Sequence, residues 1–251
     1  MASTRPIVKV AAVQAAPVSF DLEKSLEKLS KLTAEAAAAG ADLVVFPQVA
    51  RFTAPRFYLT AKLIPTAAER LVWGRGSGDG LQVQQTDIGK VGSLICWENY
   101  MPAARMALYQ QGIEIYVAPN ADDLPAWTAS MQHIAKEGRC FVVSVNSVCK
   151  VSDFPSDYPP FTAEHPDRRP DGGQWEPEDI VNHGGSCIVG PLGTMLAEPV
   201  WDKEEIVYAD LRMADITESR LDFDPVGSYS RPDVFSLTVN TKAGINVAFS
   251  S

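Results

Sequence analysis

The stretch GKVGSLICWENYMPAARMALYQQGIEIYVAPN, residues 89–120, decides the fold class. Val91 to Ile95 is a short apolar run without helical spacing and reads as a buried strand. Met101 to Gln111 reads as a helix, with Pro102 in its first turn and Gly112 just past its end, the usual placement of the two residues. Ile113 to Val117 returns to a strand. Strand, turn, helix and strand in this order predict neighbouring strands with a helix laid across them.

The pattern continues in both directions. Upstream, Pro6 to Gln14 (PIVKVAAVQ) reads as a buried strand, and Asp21 as the cap of a helix whose Leu22, Leu26, Leu29, Leu32 and Ala36 share one face. Gly40 stops that helix, and Asp42 to Phe46 (DLVVF) follows as a strand. Leu81 to Thr86 and Val91 to Ile95 form a hairpin around Asp87-Ile88-Gly89-Lys90. Downstream, Trp127 to Glu137 is a helix ending at Gly138, Cys140 to Asn146 (CFVVSVN) a strand, and Ser186 to Val189 and Glu205 to Leu211 complete the sheet. Residues 151–182 break the alternation: six of the chain's 18 prolines lie there, with eight acids against two arginines, the signature of a long acidic, Pro-rich surface loop. The whole, residues 1–251, reads as a single α/β domain.

Composition removes other classes. With 46% hydrophobic and 21% charged residues and a mean hydropathy of -0.05, the chain has the apolar mass to build a core. No apolar run approaches the roughly 18 residues of a membrane span. Lys and Arg number 22 against 31 Asp and Glu, a net charge of -9, which argues against nucleic acid or anionic lipid as partner and for a small neutral substrate. Four cysteines without a CxxC pair fit neither a disulfide framework nor a zinc site, and they point to a reducing, cytoplasmic setting. No metal and no cofactor is expected, since His133, His165 and His183 form no ligand motif.

Cys96 stands at a strand-turn-helix junction, where backbone N–H groups and the helix dipole lower a thiol pKa. A cysteine beside an apolar strand is, taken alone, more often an inert core residue. Its context is more specific. Gly92-Ser93-Leu94-Ile95-Cys96-Trp97-Glu98-Asn99 resembles the nucleophile motif of the nitrilase family of carbon-nitrogen hydrolases. Lys62-Leu63-Ile64-Pro65-Thr66 with Glu69-Arg70-Leu71-Val72-Trp73-Gly74 resembles the lysine segment of that family, and Phe46-Pro47 the approach to its glutamate. The likeness extends through Ala118-Pro119-Asn120-Ala121-Asp122, Trp127 to Ala135, Glu137 to Val142, Gly184 to Val189 and Arg231 to Phe235, nearly the whole chain.

The resemblance implies a four-layer α-β-β-α sandwich and a Glu-Lys-Cys triad. Cys96 is then the nucleophile that converts a nitrile to a covalent thioimidate, Lys62 the cation that stabilises the intermediates, and Glu69 a supporting carboxylate. Trp97, Asn120 and Trp127 are candidate substrate-binding residues, Trp127 and Trp73 being accounted for equally well by aromatic core packing, and Glu98 is a structural hydrogen-bonding residue. The product is a carboxylic acid and ammonia; an amidase or a nitrile or cyanide hydratase of the same superfamily is the alternative. His133 is more readily a hydrogen-bonded core or interface histidine than a base for Cys96, and His165 and His183 are solvated.

Two departures stand out. Gln48 occupies the position of the family's glutamate, and an amide takes up no proton at neutral pH, so the general-base role there is vacant. Only the 13 residues 49–61 separate Gln48 from Lys62, where the family has a long segment with a helix and a core strand. Fourteen steps span at most about 46–50 Å, so the site is reachable, but a sandwich incomplete near its N-terminal third is expected. Both departures meet at residue 48, which points to one event, a skipped exon, a wrongly joined splice site or a genomic deletion. Sequencing the transcript tests this. The resemblance also implies pairing with identical subunits; a separate reading, of a different class, is a non-catalytic partner that co-assembles with full-length nitrilase subunits.

Overall fold

Residues 6–48, 62–71, 74–161 and 173–241 are described by the structure, a computed structural model. The proposed break and Trp73, together with His165 in the acidic loop, fall outside them. β1 (Ile7–Gln14) is followed by α1 (Leu22–Ala38), which Asp21 caps by accepting the Lys24 N–H at 3.0 Å. Gly40 takes the left-handed backbone, at φ 83°, that lets the chain turn into β2 (Leu43–Val45). β3 (Gln84–Thr86) and β4 (Gly89–Ser93) form the hairpin. α2 (Pro102–Gln110), β5 (Ile115–Pro119), α3 (Pro125–Gly138) and β6 (Phe141–Val145) then continue the predicted alternation. β7 (Val148–Lys150), β8 (Ile180–Val189), β9 (Met195–Trp201), β10 (Glu205–Arg212) and α4 (Ala214–Ser219) complete the described elements.

Two sheets result. One has the order β10-β1-β2 and the other β3-β4-β5-β6-β8-β7, with β9 on β8. β1 pairs parallel with β2, and β4, β5 and β6 are parallel to one another, so these strands end on one side. Alternation along each strand divides the core. Ile115, Phe141, Val143, Val145 and Ile188 join Val8, Val10, Ala12, Val207 and Leu211 between the sheets. Tyr116, Val142, Cys187 and Val189 point the other way, onto Leu108, Trp127, Met131 and Ile134 of the helices. With α1 against β2, the layers run helix, sheet, sheet, helix.

The structure departs from the sequence reading at several points. Leu81 to Val83 is not strand; the Gln111 side chain accepts from Val83 N at 3.0 Å and donates to Leu81 O at 2.9 Å, supplying the bonds a neighbouring strand would have made. The long loop is shorter than expected, because Ile180 to His183 pair with β7 and belong to β8. Its described part is anchored, with Phe154 stacked on Tyr158 at 5.2 Å and Tyr158 at 5.6 Å from Phe20 in the β1–α1 turn. α3 does end at Gly138, as the sequence reading has it. A Cβ there would lie 2.4 Å from Tyr109 Cε1, so the glycine admits the ring, and Arg139 takes the left-handed turn at φ 50°. His133 is not in the core; its side chain is 66% exposed and lies 3.6 Å from Glu137.

Candidate active site

Cys96 opens a single 3-10 turn, Cys96–Tyr100, immediately beyond β4. Its φ of 54° is unusual for a residue with a side chain and has to be held by its surroundings. Asn99, fully buried, does so by donating to Leu94 O at 2.9 Å and Cys96 O at 2.7 Å. Its own Oδ1 accepts from the Tyr116 hydroxyl at 2.7 Å, and its carbonyl from Arg105 Nη1 at 2.7 Å. Arg105 in turn is paired with Glu137 at 2.8 Å. Glu98 braces the same turn: one carboxylate oxygen accepts from Ile95 N at 2.9 Å and the other from Ile64 N at 3.3 Å. The buried Glu98 carboxylate thus ties the nucleophile turn to the segment that carries Lys62.

Gln48 and Lys62 stand at opposite ends of the short connection, yet both meet Glu69. Lys62 Nζ is ion-paired with Glu69 Oε2, which also accepts from Thr66 N at 2.7 Å, and Gln48 Nε2 donates to Glu69 Oε1 at 2.9 Å. Burial works to raise the Glu69 pKa, but the Lys62 ammonium, the Thr66 N–H and the Gln48 amide outweigh it and hold the carboxyl below its ordinary value. The amide oxygen of Gln48, Oε1, is buried and accepts from no donor among the described residues.

Lys62 and Glu69 are close enough to Cys96 to act on its thiol electrostatically, and the N–H groups of Ala121 and Trp97 act on it too, in the direction that lowers its pKa. Burial nevertheless pushes the thiol above its ordinary value; those N–H groups and the Lys62 ammonium pull it back only in part. The lowered thiol pKa expected from the junction alone is therefore not realised, because the turn is buried as well as polar. Burial likewise raises the Glu98 carboxyl, against the N–H groups it accepts.

The candidate substrate residues separate. Trp97 is 54% exposed and donates its indole N–H to Asp122 at 2.9 Å. Asn120 and Trp127 are buried with their polar atoms engaged. Asn120 Oδ1 accepts from Asp122 N at 2.6 Å, and Trp127 Nε1 donates to Ser144 Oγ at 2.8 Å. Asn120 therefore shapes the loop that presents the Ala121 N–H to Cys96. Sequence reasoning had not singled out Ala121, Asp122 or Asn99; the Asn120-Ala121-Asp122 spacing, in which an Asn side chain binds the backbone two residues on, was the available signal. An open cavity of about 520 Å³ bounded by Pro17, Phe20, Ser147, Cys149 and Phe154 has none of these groups in its lining. Among the described residues no group of His, Cys, Asp and Glu is arranged to hold a metal ion, and no helix is long and apolar enough to cross a membrane.

The sequence pattern of the carbon-nitrogen hydrolases matches this chain in two pieces, residues 9–62 and 55–221. A nitrilase of Bradyrhizobium diazoefficiens is 48% identical over 181 residues, 72% of this chain, and the chain spans only 53% of that relative's length. Nitrilase 2 of Arabidopsis thaliana is 37% identical over 320 aligned positions, covering 98% of this chain and 92% of the relative; at least 69 of those positions have no counterpart in a chain of 251 residues. A bifunctional nitrilase/nitrile hydratase of Nicotiana tabacum is 35% identical over 99% of this chain and 90% of its own length. Among solved structures, a carbon-nitrogen hydrolase of Helicobacter pylori superposes with a TM-score of 0.68 at 19% identity, over 92% of this chain and 97% of that one. An amidase of Nesterenkonia does so with 0.61 at 17%, over 88% and 97%; it is a Glu-to-Gln mutant showing covalent addition at its active site cysteine. The fold is that of the α-β-β-α nitrilases, and the two pieces of the family pattern join at residues 55–62, inside the connection between Gln48 and Lys62. By sequence, fold and the grouping of Cys96, Lys62 and Glu69, the chain belongs to the nitrilases of the carbon-nitrogen hydrolase family.

Proposed function

We propose that the protein acts on nitriles through Cys96, forming a thioimidate that water converts to a carboxylic acid and ammonia, and that Gln48 slows this conversion. The observation that carries the reading is the meeting of Gln48, Lys62 and Glu69 beside the Cys96 thiol. Lys62 stabilises the charge that develops on nitrogen, and the Ala121 and Trp97 N–H groups hold the sulfur. Glu69 keeps Lys62 in place, while Glu98 and Asn120 position the loops. Trp97, half exposed beside Cys96 in sequence, offers its ring to the substrate; Trp127, in the core, reaches it only through Tyr100, whose ring lies 5.7 Å from Trp127 and 6.4 Å from Trp97. The Glu-to-Gln amidase mutant, which still shows covalent addition at its active site cysteine, supports the idea that a thiol of this fold can react after a glutamate is replaced by glutamine.

General acid–base catalysis contributes about 10²- to 10⁴-fold, so Gln48→Glu is expected to raise ammonia release from aliphatic or arylacetonitriles by a factor in that range, and Cys96→Ala to abolish it. Turnover by the unaltered chain equal to that of the Glu variant contradicts the role given to residue 48. The ratio of acid to amide product decides between hydrolysis and the hydration that the bifunctional relatives are named for. A second reading, co-assembly with full-length nitrilase subunits, draws on the exposed Leu22 and Leu26 of α1; co-purification that survives Cys96→Ala supports it.

A further inference from the structure

We propose that the chain captures nitriles covalently on Cys96 and holds them, so that it behaves as a covalent nitrile-binding protein. This rests on the reading of Cys96 as the nucleophile. Among the described residues, the carboxylates nearest Lys62 and the nucleophile turn, Glu69 and Glu98, already accept from N–H donors. Glu69 accepts from Lys62, Thr66 and Gln48, and Glu98 accepts from Ile64 and Ile95. Gln48, at the position of the family's glutamate, offers a buried carbonyl oxygen with no donor among the described residues. That oxygen can accept a hydrogen bond from water but cannot take its proton.

The two halves of the reaction differ in how much they need a base. In capture, the S–C bond forms, one π bond of the nitrile breaks, the thiol proton is lost to solvent and an equivalent proton reaches nitrogen from the Lys62 ammonium, which solvent then reprotonates. Nothing leaves, and the product is the thioimidate. In release, water adds to the thioimidate carbon and gives up a proton, the nitrogen departs as ammonia, and a second water cleaves the thioester to acid and free thiol. A free thiol ionises with a pKa of about 8.5. Bulk water does so at about 15.7. Even a thiol raised by burial reaches its anion far more readily than water reaches hydroxide. Loss of the carboxylate at residue 48 therefore falls chiefly on release, and the adduct accumulates.

The full-length chain incubated with phenylacetonitrile, quenched in acid and weighed intact tests this. The expected result is a gain of one nitrile mass per chain, mapped to Cys96 and absent in Cys96→Ala, with less than one equivalent of ammonia over the same interval. In Gln48→Glu, checked for folding by circular dichroism, the adduct is expected to drain and ammonia to exceed many equivalents. Several equivalents of ammonia from the unaltered chain with no adduct overturn capture and leave the hydrolytic reading standing. Neither adduct nor ammonia, while iodoacetamide still alkylates Cys96, overturns both. An adduct equally persistent in folded Gln48→Glu overturns the assignment of the block to residue 48.

Discussion

The four cysteines of this chain are chemically unequal, and the inequality follows from their surroundings. Cys140 and Cys187 lie wholly in the core, where burial pushes each thiol up to about 12, and burial with nearby acids takes Cys149 to about 11. Cys96 is raised too, but a cation, Lys62, and two N–H groups together act against its burial, where Cys140 has only Arg220 and Cys149 only the Asn182 N–H. Iodoacetamide at mildly alkaline pH is therefore expected to label Cys96 ahead of the other three, with a rate that climbs past the ordinary thiol range. Removing the cation in Lys62→Met takes away a lowering influence, so the inflection moves to higher pH and labelling at pH 8 slows. An unchanged profile in a folded variant would show that Lys62 does not reach the thiol, which peptide mapping by mass spectrometry reads directly. Cys96, Lys62 and Gln48 were legible in the sequence because each sits in a short contiguous motif. That Gln48 donates to Glu69, 21 residues away, was not, since it depends on how an abbreviated connection folds back.

At the scale of elements, α1 and α2 both read as helices in the sequence and meet different fates in the fold. Leu108 of α2 is fully buried in the cluster with Trp127 and Met131, whereas Leu22 and Leu26 of α1 are 69% and 42% exposed and only Ala36 of that helix is buried. Beneath α1 lies the smaller sheet, whose β2 edge is three residues long. Leu108→Ala is expected to cost about 2–5 kcal/mol. Leu26→Ala should stay within roughly 0.5 kcal/mol, as surface changes do. Urea denaturation midpoints measure both, and comparable losses would mean that something covers α1. The same contrast explains what sequence reading found and missed. β1, β5 and β6 are apolar runs whose ends are marked by turns, and they were located to within two residues. β7 is three residues long, β9 contains Pro199, tolerated because β9 pairs only with β8, and α4 has six residues, too few to show a period.

For the molecule as a whole, the question is whether a sheet of three described strands facing one of seven forms a single stable body. The cluster between them says how it would. Val8, Val10, Val207 and Leu211 from the small sheet pack with Val91, Ile115, Phe141 and Ile188 from the large one, and no part of that cluster is complete from one side. A three-stranded sheet has little independent stability without a partner layer, and its loss would expose the inner face of the larger sheet to water. The two sheets are therefore expected to unfold together. Leu211→Ala, which removes a fully buried side chain from β10, should cost about 2–5 kcal/mol. That cost should also appear at a distance, in the large sheet. Pulsed alkylation of Cys187 in β8 through a urea series is expected to show one transition, coincident with circular dichroism, and to shift to lower urea with Leu211→Ala by the same free energy. If Cys187 keeps its midpoint while circular dichroism shifts, the small sheet comes away by itself and the chain is two bodies. The outcome matters for the site, since Gln48 follows the small sheet and Cys96 the large one, and Glu69 bridges them only while both are folded.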